Sequence, residues 1–316
     1  MLSVAQIGMN TADMAGSIRL FSEVLGFVNA GGQVLWGPAI RVQALPDDSR
    51  AVMWWLLGRE AGMQLELFRH TRPAQRPLRR DWRPCDLGWV RFGAAVSNFD
   101  AALAALSANG IALLAAPVTR HGLRRASFRE PHLGCIVEIL EDGPGAPWSV
   151  AGDERLPAIV YATSSVSDIA SARHYYETLL GLTVEPIERL HRSEDEACWG
   201  LGGATREGFL AHNGGVRLEI AAYRDPVGRP RPADYRTSDQ GIVNVALSAG
   251  TPEEASATFD RLAAHGLVCP HLGKGEGLVT GYITDPEREI EIVCLPPEVR
   301  RVIGFEPTTP FIAAMG

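Results

Sequence analysis

The chain has almost no lysine: Lys274 stands alone among 30 basic residues, and the others are arginine. Against 37 acidic residues this leaves a formal charge of -7 and a pI near 5.7, which gives no electrostatic footprint for nucleic acid or an anionic membrane. The five cysteines, Cys85, Cys135, Cys198, Cys269 and Cys294, are odd in number, far apart and without a CxxC pair. That excludes a disulfide framework and a zinc knuckle and points to a reducing compartment. No apolar run approaches the roughly 18 residues needed to span a bilayer. Met1 to Gln6 lacks the basic and long apolar regions of a secretory signal, so a cytoplasmic protein is expected. The run Gly273-Lys274-Gly275-Glu276-Gly277 fits neither GxxxxGK[ST] nor GxGxxG, so no phosphate-binding loop is present there.

What is present is ample apolar material, 46% of 316 residues, enough for two domains of about 150 residues each. The chain is also written twice. Asp81-Trp82-Arg83-Pro84-Cys85-Asp86-Leu87-Gly88-Trp89-Val90-Arg91 returns 153 positions later as Asp234-Tyr235-Arg236-Thr237-Ser238-Asp239-Gln240-Gly241-Ile242-Val243-Asn244. Glu66 and Glu219 stand in the same register, as do Glu138 and Glu291. A fixed internal repeat of this kind governs the architecture before any local propensity does.

Within each copy the pattern strand, helix, three strands occurs twice. Val4 to Met9 alternates as a strand, Asp13 is placed to cap a helix carrying Met14, Ile18, Phe21 and Leu25, and Gly26 ends it. Strands follow near 33–36, 51–57 and 63–68. The second unit opens at Trp89 with Asn98 as cap, the third at Ala158 with Asp168, and the fourth at Ile242, with Thr251-x-x-Glu254 as a capping box. An arginine-rich connection, Arg69, Arg72, Arg76, Arg79, Arg80 and Arg83, joins the first two units; it reads as a solvated crossover or as an anion-binding lip. Pro- and Gly-rich Glu141 to Pro157 marks the boundary between halves. The expected organisation is an α+β fold of four βαβββ modules paired into two domains, 1–145 and 155–298, each with a cup-shaped mixed sheet, followed by a tail, 299–316. An open four-stranded sheet cannot bury its inner face alone and needs a second module to close a cup.

The module openings, Gln6-Ile7-Gly8-Met9-Asn10-Thr11-Ala12-Asp13 with Leu25-Gly26-Phe27 and Tyr161-Ala162-Thr163-Ser164-Ser165-Val166-Ser167-Asp168 with Leu180-Gly181-Leu182, carry a resemblance. So do the closings Glu130-Pro131-His132-Leu133-Gly134-Cys135-Ile136-Val137-Glu138 and Asp285-Pro286-Glu287-Arg288-Glu289-Ile290-Glu291. The chain resembles the vicinal oxygen chelate (VOC) superfamily of glyoxalase I, bleomycin-resistance proteins, fosfomycin-resistance enzymes and type I extradiol dioxygenases. The resemblance implies metal ligands on the first and last strands of each module, here Gln6, Glu66, Arg91 and Glu138 in the first half and Tyr161, Glu219, Asn244 and Glu291 in the second. Gln6, Glu66 and Glu138 match a glyoxalase I-like set, but Arg91 stands in the histidine place, where a guanidinium cannot ligate a cation. Extradiol chemistry would require two histidines and a glutamate at Tyr161, Asn244 and Glu291, and both histidines are missing.

The implied chemistry therefore rests on carboxylates. Glu219 and Glu291, with Tyr161 and Asn244, form the expected catalytic set, because two carboxylates in one cavity raise each other's pKa unless a metal or an arginine compensates. The plainer reading of the same residues is a hydrogen-bonded remnant of duplication, and Arg91 with Glu66 or Glu138 reads equally as a buried ionic network. Arg91, Arg217, His191 and His271 are the expected substrate-binding residues, the histidines because they precede inner strands. Trp54, Trp55, Trp89, Trp199, Tyr161 and Tyr282 are candidates for aromatic walls. The expected cofactor is a divalent metal, Mg, Mn, Fe, Ni or Zn, or none, since the usual histidine ligands are missing. The first functional reading is a lyase, isomerase or hydrolase acting on a small aromatic or carbonyl compound. The alternative is a metal-free drug- or metabolite-binding protein of the bleomycin-resistance type, and extradiol ring cleavage ranks last. The expected partner is a small molecule, not nucleic acid or membrane, and the resemblance implies a homodimer.

Overall fold

The computed structural model describes all residues except 121, 145, 147, 149–151, 286 and 308–316, and gives only the backbone of 38 and 39. Residues 145, 147 and 149–151 of the expected linker, Pro286 of the last closing motif and the second half of the expected tail lie outside the described residues.

The first module comprises β1 (Ser3–Asn10), α1 (Met14–Arg19), β2 (Val28–Trp36), β3 (Arg50–Leu57) and β4 (Gln64–Arg72). The second comprises β5 (Gly88–Val96), α2 (Phe99–Ala108), β6 (Val118–Arg120), β7 (Leu123–Arg129) and β8 (Ile136–Glu141). In the third are β9 (Ala158–Ser165), α3 (Ile169–Arg173), β10 (Thr183–Pro186), β11 (Thr205–His212) and β12 (Arg217–Asp225). The fourth holds β13 (Gly241–Ser248), α4 (Pro252–Ala264), β14 (Gly273–Gly275), β15 (Leu278–Ile283) and β16 (Ile290–Cys294), and a short α5 (Pro297–Val302) follows. All four are βαβββ. The caps fall where the side chains dictate: Asp13, Asn98, Asp168 and Thr251 each accept a backbone N–H of the first helical turn. Glu254 reaches back to the N–H of Gly250 at 2.9 Å, one residue before the expected partner. α1 and α3 both continue as a π-turn, Leu20–Val24 and His174–Leu179, so the repeat extends to a local irregularity.

Two eight-stranded mixed sheets result. One runs β14-β15-β16-β13-β1-β4-β3-β2 and joins the fourth module to the first; the other runs β10-β11-β12-β9-β5-β8-β7-β6 and joins the third to the second. In each, the opening strands of two modules pair antiparallel at the centre, β1 with β13 and β5 with β9. The last strand of each module lies parallel beside its own opening strand. This corrects the expected pairing: residues 1–145 and 155–298 do not each close a sheet of their own.

The reason lies in the linkers. All four modules present the same kind of opening edge, so strand pattern cannot choose a partner. Arg76, before the second module, forks onto Asp239 at 2.8 and 2.6 Å and also meets Asp234. Its repeat counterpart Arg229 forks onto Asp86 at 3.1 and 2.7 Å and meets Asp81. The backbones add Leu87 N–H to Arg229 O and Gln240 N–H to Arg76 O, both 2.9 Å. This part of the arginine-rich connection is an intramolecular clasp, and bidentate guanidinium-carboxylate geometry gives it its register.

Modules of the same half meet through their helical side. Phe21, in the π-turn after α1, packs on Phe92 of β5 with ring centroids 6.0 Å apart, inside a core cluster that runs through all four modules. The opposite faces of the sheets form two cups, called here the 1/4 cup and the 2/3 cup. Each is covered by the segment between the second and third strands of one module: residues 37–45 over the first, 187–201 over the second.

Candidate functional site

Strand alternation puts Arg91 of β5, Glu138 of β8, Tyr161 and Thr163 of β9, and Glu219 of β12 on the inner face of the 2/3 cup, all fully buried. The covering segment makes two 3-10 turns, Ile187–Arg189 and Ser193–Trp199, and lowers His191 between them. The imidazole sits between the two carboxylates, Nδ1 2.6 Å from Glu219 Oε1 and Nε2 2.9 Å from Glu138 Oε2. Arg91 donates to Glu219 Oε2 at 2.7 Å and lies over the Trp199 ring, 4.1 Å from its centroid. Thr163 donates to Glu219 at 2.6 Å and Tyr161 to Glu138 at 2.5 Å. Behind them Arg125 approaches Glu138 and Asp195, and Glu196 receives Tyr223, Trp199 and Arg206.

Burial alone would raise both inner carboxyls, but the cations prevail. Arg125 and His191 hold Glu138 down to about 2, and His191 and Arg91 hold Glu219 well below the usual range. Burial would pull His191 down, yet Glu219 and Glu138 raise it, so the ring is an imidazolium. The 2/3 cup is filled by its own side chains, with a protonated histidine lying between the two glutamates at positions where the VOC resemblance places metal ligands.

The 1/4 cup is built differently. Its inner face carries Gln6 of β1, Gln64 and Glu66 of β4, Asn244 of β13 and Glu291 of β16, each at most 8% exposed. Glu66 accepts the Trp55 indole N–H at 3.0 Å; Glu291 accepts Thr280 Oγ1–H at 2.8 Å and the Asn244 amide at 3.5 Å. Among the described residues no arginine, lysine or histidine pairs with either carboxyl. Burial, then the charge of Glu291, pushes Glu66 up to about 8, against the Trp55 hydrogen bond. Burial raises Glu291 to about 7 although Thr280, Tyr282 and Asn244 all favour its ionised form. Gln64 Oε1 and Nε2 and Asn244 Oδ1 are buried without a partner. Asn244 lies across Gly8, where a Cβ would come within 2.1 Å of its Oδ1, so only glycine leaves the amide that position. Gly93 makes the same room for Tyr161 in the other cup.

The expected residues are thus redistributed. Of the catalytic set, Glu291 and Asn244 share the 1/4 cup while Glu219 and Tyr161 lie in the 2/3 cup. Of the metal set, Gln6 and Glu66 remain together and Glu138 is in the other cup. Arg91 and His191 are locked in ion pairs inside the filled cup, which leaves neither available to an incoming anion. Arg217 is half-buried at that cup's rim, beside Glu185, Arg189 and Leu190, and His271 is exposed ahead of β14. Trp55, Tyr282, Trp199 and Tyr161 do wall the cups. Sequence reasoning missed Thr280, Gln43, Thr163, Arg125, Glu196 and Arg206. Alternation along β7, opposite Glu138, carried a signal for Arg125; the rest come from covering segments and neighbouring strands whose register no local pattern fixes.

Among the described residues no cluster of three or more His, Cys, Asp or Glu is disposed to hold a metal. The 1/4 cup has two carboxyls and neutral amide oxygens instead. That donor set fits a hard divalent cation such as Mg2+ or Mn2+ and lacks the imidazoles that iron(II) oxygenation needs.

Residues 158–292 match the family described as Glyoxalase/Bleomycin resistance protein/Dioxygenase superfamily. No curated protein matches the sequence. Among solved structures, a protein titled a putative dioxygenase from Bacillus subtilis subsp. subtilis str. 168 is similar with a TM-score of 0.61 and 15% identity, over 98% of this chain and 91% of that one. Glyoxalase I from Zea mays is similar with a TM-score of 0.59 and 12% identity, over 93% and 92%. At such identities the likeness establishes the fold, and it does so over nearly the whole four-module length. Residues 158–292 thus match the glyoxalase/bleomycin resistance protein/dioxygenase superfamily, and the fold is shared with these structures over nearly the whole chain.

Proposed function

We propose that the chain is an enzyme that moves a proton at the carbon beside a carbonyl group of a small molecule, and that it does so in the 1/4 cup. The observation that supports this most is the pair Glu66 and Glu291. They share a buried polar cup with no arginine, lysine or histidine paired to them among the described residues, whereas the repeat-related carboxylates of the 2/3 cup are paired with His191, Arg91 and Arg125. A buried diacid without a counter-charge is costly, and sites that carry such a cost are where function is expected.

Glu291, raised to about 7, is matched to general-base work near neutral pH. It takes the proton from the carbon, and the electron pair moves onto the carbonyl oxygen. The unpaired Gln64 Nε2 can donate to that oxygen, and Glu66, protonated below about 8, can donate as an acid. In an α-hydroxy carbonyl compound, return of the proton to the former carbonyl carbon, with the hydroxyl proton passing to the other oxygen, completes an isomerisation; loss of a leaving group from the carbon β to the carbonyl completes an elimination. A hard divalent cation held by Glu66, Glu291 and the Asn244 or Gln6 amide oxygens would supply Lewis-acid polarisation of the same oxygen.

The test is deuterium wash-in followed by NMR, with dihydroxyacetone and acetophenone as probes in D2O, with and without Mg2+ or Mn2+. Exchange by the wild type that falls at least ~100-fold in Glu291→Gln is expected for loss of a general base. Absence of exchange under every condition would overturn the reading.

A further inference from the structure

A cavity of about 440 Å3 opens at the mouth of the 1/4 cup. Its walls are Gln43 and Leu45 of the covering segment and Pro46 just after it, Tyr235, Arg236 and Thr237 before β13, and Asp285 and Glu289 of the fourth module. Tyr282, buried on β15 beside Glu291, influences the titration of that carboxyl and is itself influenced by Gln43, so it stands between the cavity wall and the carboxyls. The 3-10 turn of the covering segment, Gly37–Gln43, ends at Ala44, which sits in the left-handed region at φ 54° and is the only non-glycine residue to do so among those described. A strained residue of this kind is kept where the surrounding structure requires it.

Two features of the walls call for a ligand. Gln43, 2% exposed, has its Oε1 buried without a hydrogen-bond partner, and so has the Tyr235 hydroxyl. Buried polar atoms are almost always paired, so orphaned ones along a cavity mark where a polar group binds. The second feature is charge. Asp285 is forked by Arg288 at 2.8 and 3.1 Å, and Glu289 is approached by Arg231 at 3.6 Å. Arg236 is the cation in the wall, exposed and in no ion pair within 4 Å among the described residues, although, after the Arg76 ion pair, its charge helps to hold down the neighbouring Asp234 carboxyl.

We propose that this cavity is a recognition subsite for a small carboxylate, which Arg236 binds through its guanidinium while Tyr235 and Gln43 hydrogen-bond to the same ligand. Resting on the proton-transfer reading of the 1/4 cup, this makes the substrate an anionic carbonyl compound, anchored at the mouth with its reactive carbon directed past Tyr282 toward Glu291. Arg236 is here a binding residue and takes no part in the proton transfer.

The experiment uses benzoate and benzamide, equal in shape and different in charge, as probes in calorimetric or saturation-transfer NMR titrations of the full chain. The wild type is expected to prefer benzoate. Arg236→Gln should weaken benzoate about ten-fold, as loss of a charge-assisted pair implies, and leave benzamide unchanged. Tyr235→Phe should weaken both. Equal affinity of the wild type for the two probes, or a benzoate preference that survives in Arg236→Gln, overturns the subsite. The Glu66→Gln/Glu291→Gln double variant separates the two proposals. Benzoate still bound there supports the subsite even if wild-type deuterium exchange is absent, while exchange without benzoate preference supports only the proton-transfer reading.

Discussion

His191 and Glu291 are buried in two related cups and face opposite electrostatic conditions. His191 balances two buried carboxylates, so His191→Ala leaves Glu138 and Glu219 short of a cation and is expected to cost about 3–5 kcal/mol. Thermal unfolding will measure that cost. The deuterium exchange assigned to the other cup should persist per folded molecule, and its loss would place the chemistry in the 2/3 cup instead. Titration gives a second prediction. Glu138 is held near 2 against an ordinary 4.5, so its contribution is full above 4.5 and is lost as pH falls toward 2. His191 is raised, so its contribution is full below 6.5 and is lost as pH rises through its folded value. Glu66 and Glu291 act against folding: raised to about 8 and 7, they make the folded chain bind more protons than the unfolded one above 4.5. Stability should therefore fall from pH 5 to pH 8. The Glu66→Gln/Glu291→Gln variant should lessen that fall, to which Glu60 and Glu289, each pushed up to about 8 by burial, also contribute, and Mn2+ should raise the melting temperature more at pH 8 than at pH 5. A cation effect independent of pH would argue against the carboxyls as its ligands.

At the scale of elements, the central strand pairs decide what each cup can hold. Gly8 faces Asn244 across β1 and β13, and Gly93 faces Tyr161 across β5 and β9. Gly8→Ala puts a methyl where Asn244 Oδ1 lies, so the amide must rotate away from Glu291. The expected outcome is an exchange rate lowered at least ~10-fold with a modest stability loss of about 1–3 kcal/mol. An unchanged rate would remove Asn244 from the site. The covering segments make the larger difference, because the one over the 2/3 cup delivers His191, Glu196 and Trp199 into the interior. The one over the 1/4 cup packs Ile40 and Leu45 on Met53, Trp55 and Phe68 and brings no charge to Glu66 or Glu291.

At the scale of the molecule, the sheets run between the two halves of the chain. Residues 1–141 alone contain one module of each cup and would expose the β1 and β5 edges, a recognised route to self-association. Expressed separately, that fragment is expected to aggregate or self-associate, whereas co-expression with residues 152–316 should restore a one-to-one complex. Size-exclusion chromatography with light scattering distinguishes these results; a stable, monomeric 1–141 would contradict the exchange of partners between halves.

Much of this was legible from the residues. The repeat placed Glu66 against Glu219 and Glu138 against Glu291, alternation aimed Gln64 and Phe68 with Glu66 into a cup, and Asp13, Asn98, Asp168 and Thr251 announced their helices. These signals are local, set by side-chain periodicity and by backbone groups that a neighbouring side chain can satisfy. Which modules share a sheet was not local. Four opening strands with the same pattern can pair in more than one way, and Arg76 and Arg229 meet their aspartates only once the chain has crossed itself. That crossing separated Glu219 from Glu291, united Glu66 with Glu291, and left one cup neutralised by His191 and Arg91 and the other holding two carboxyls that pair with no cation among the described residues. The sequence by itself determined the βαβββ units and the inward-facing residues; the tertiary structure alone decided which carboxyls face each other, because charge compensation depends on distances that only the assembled sheets define.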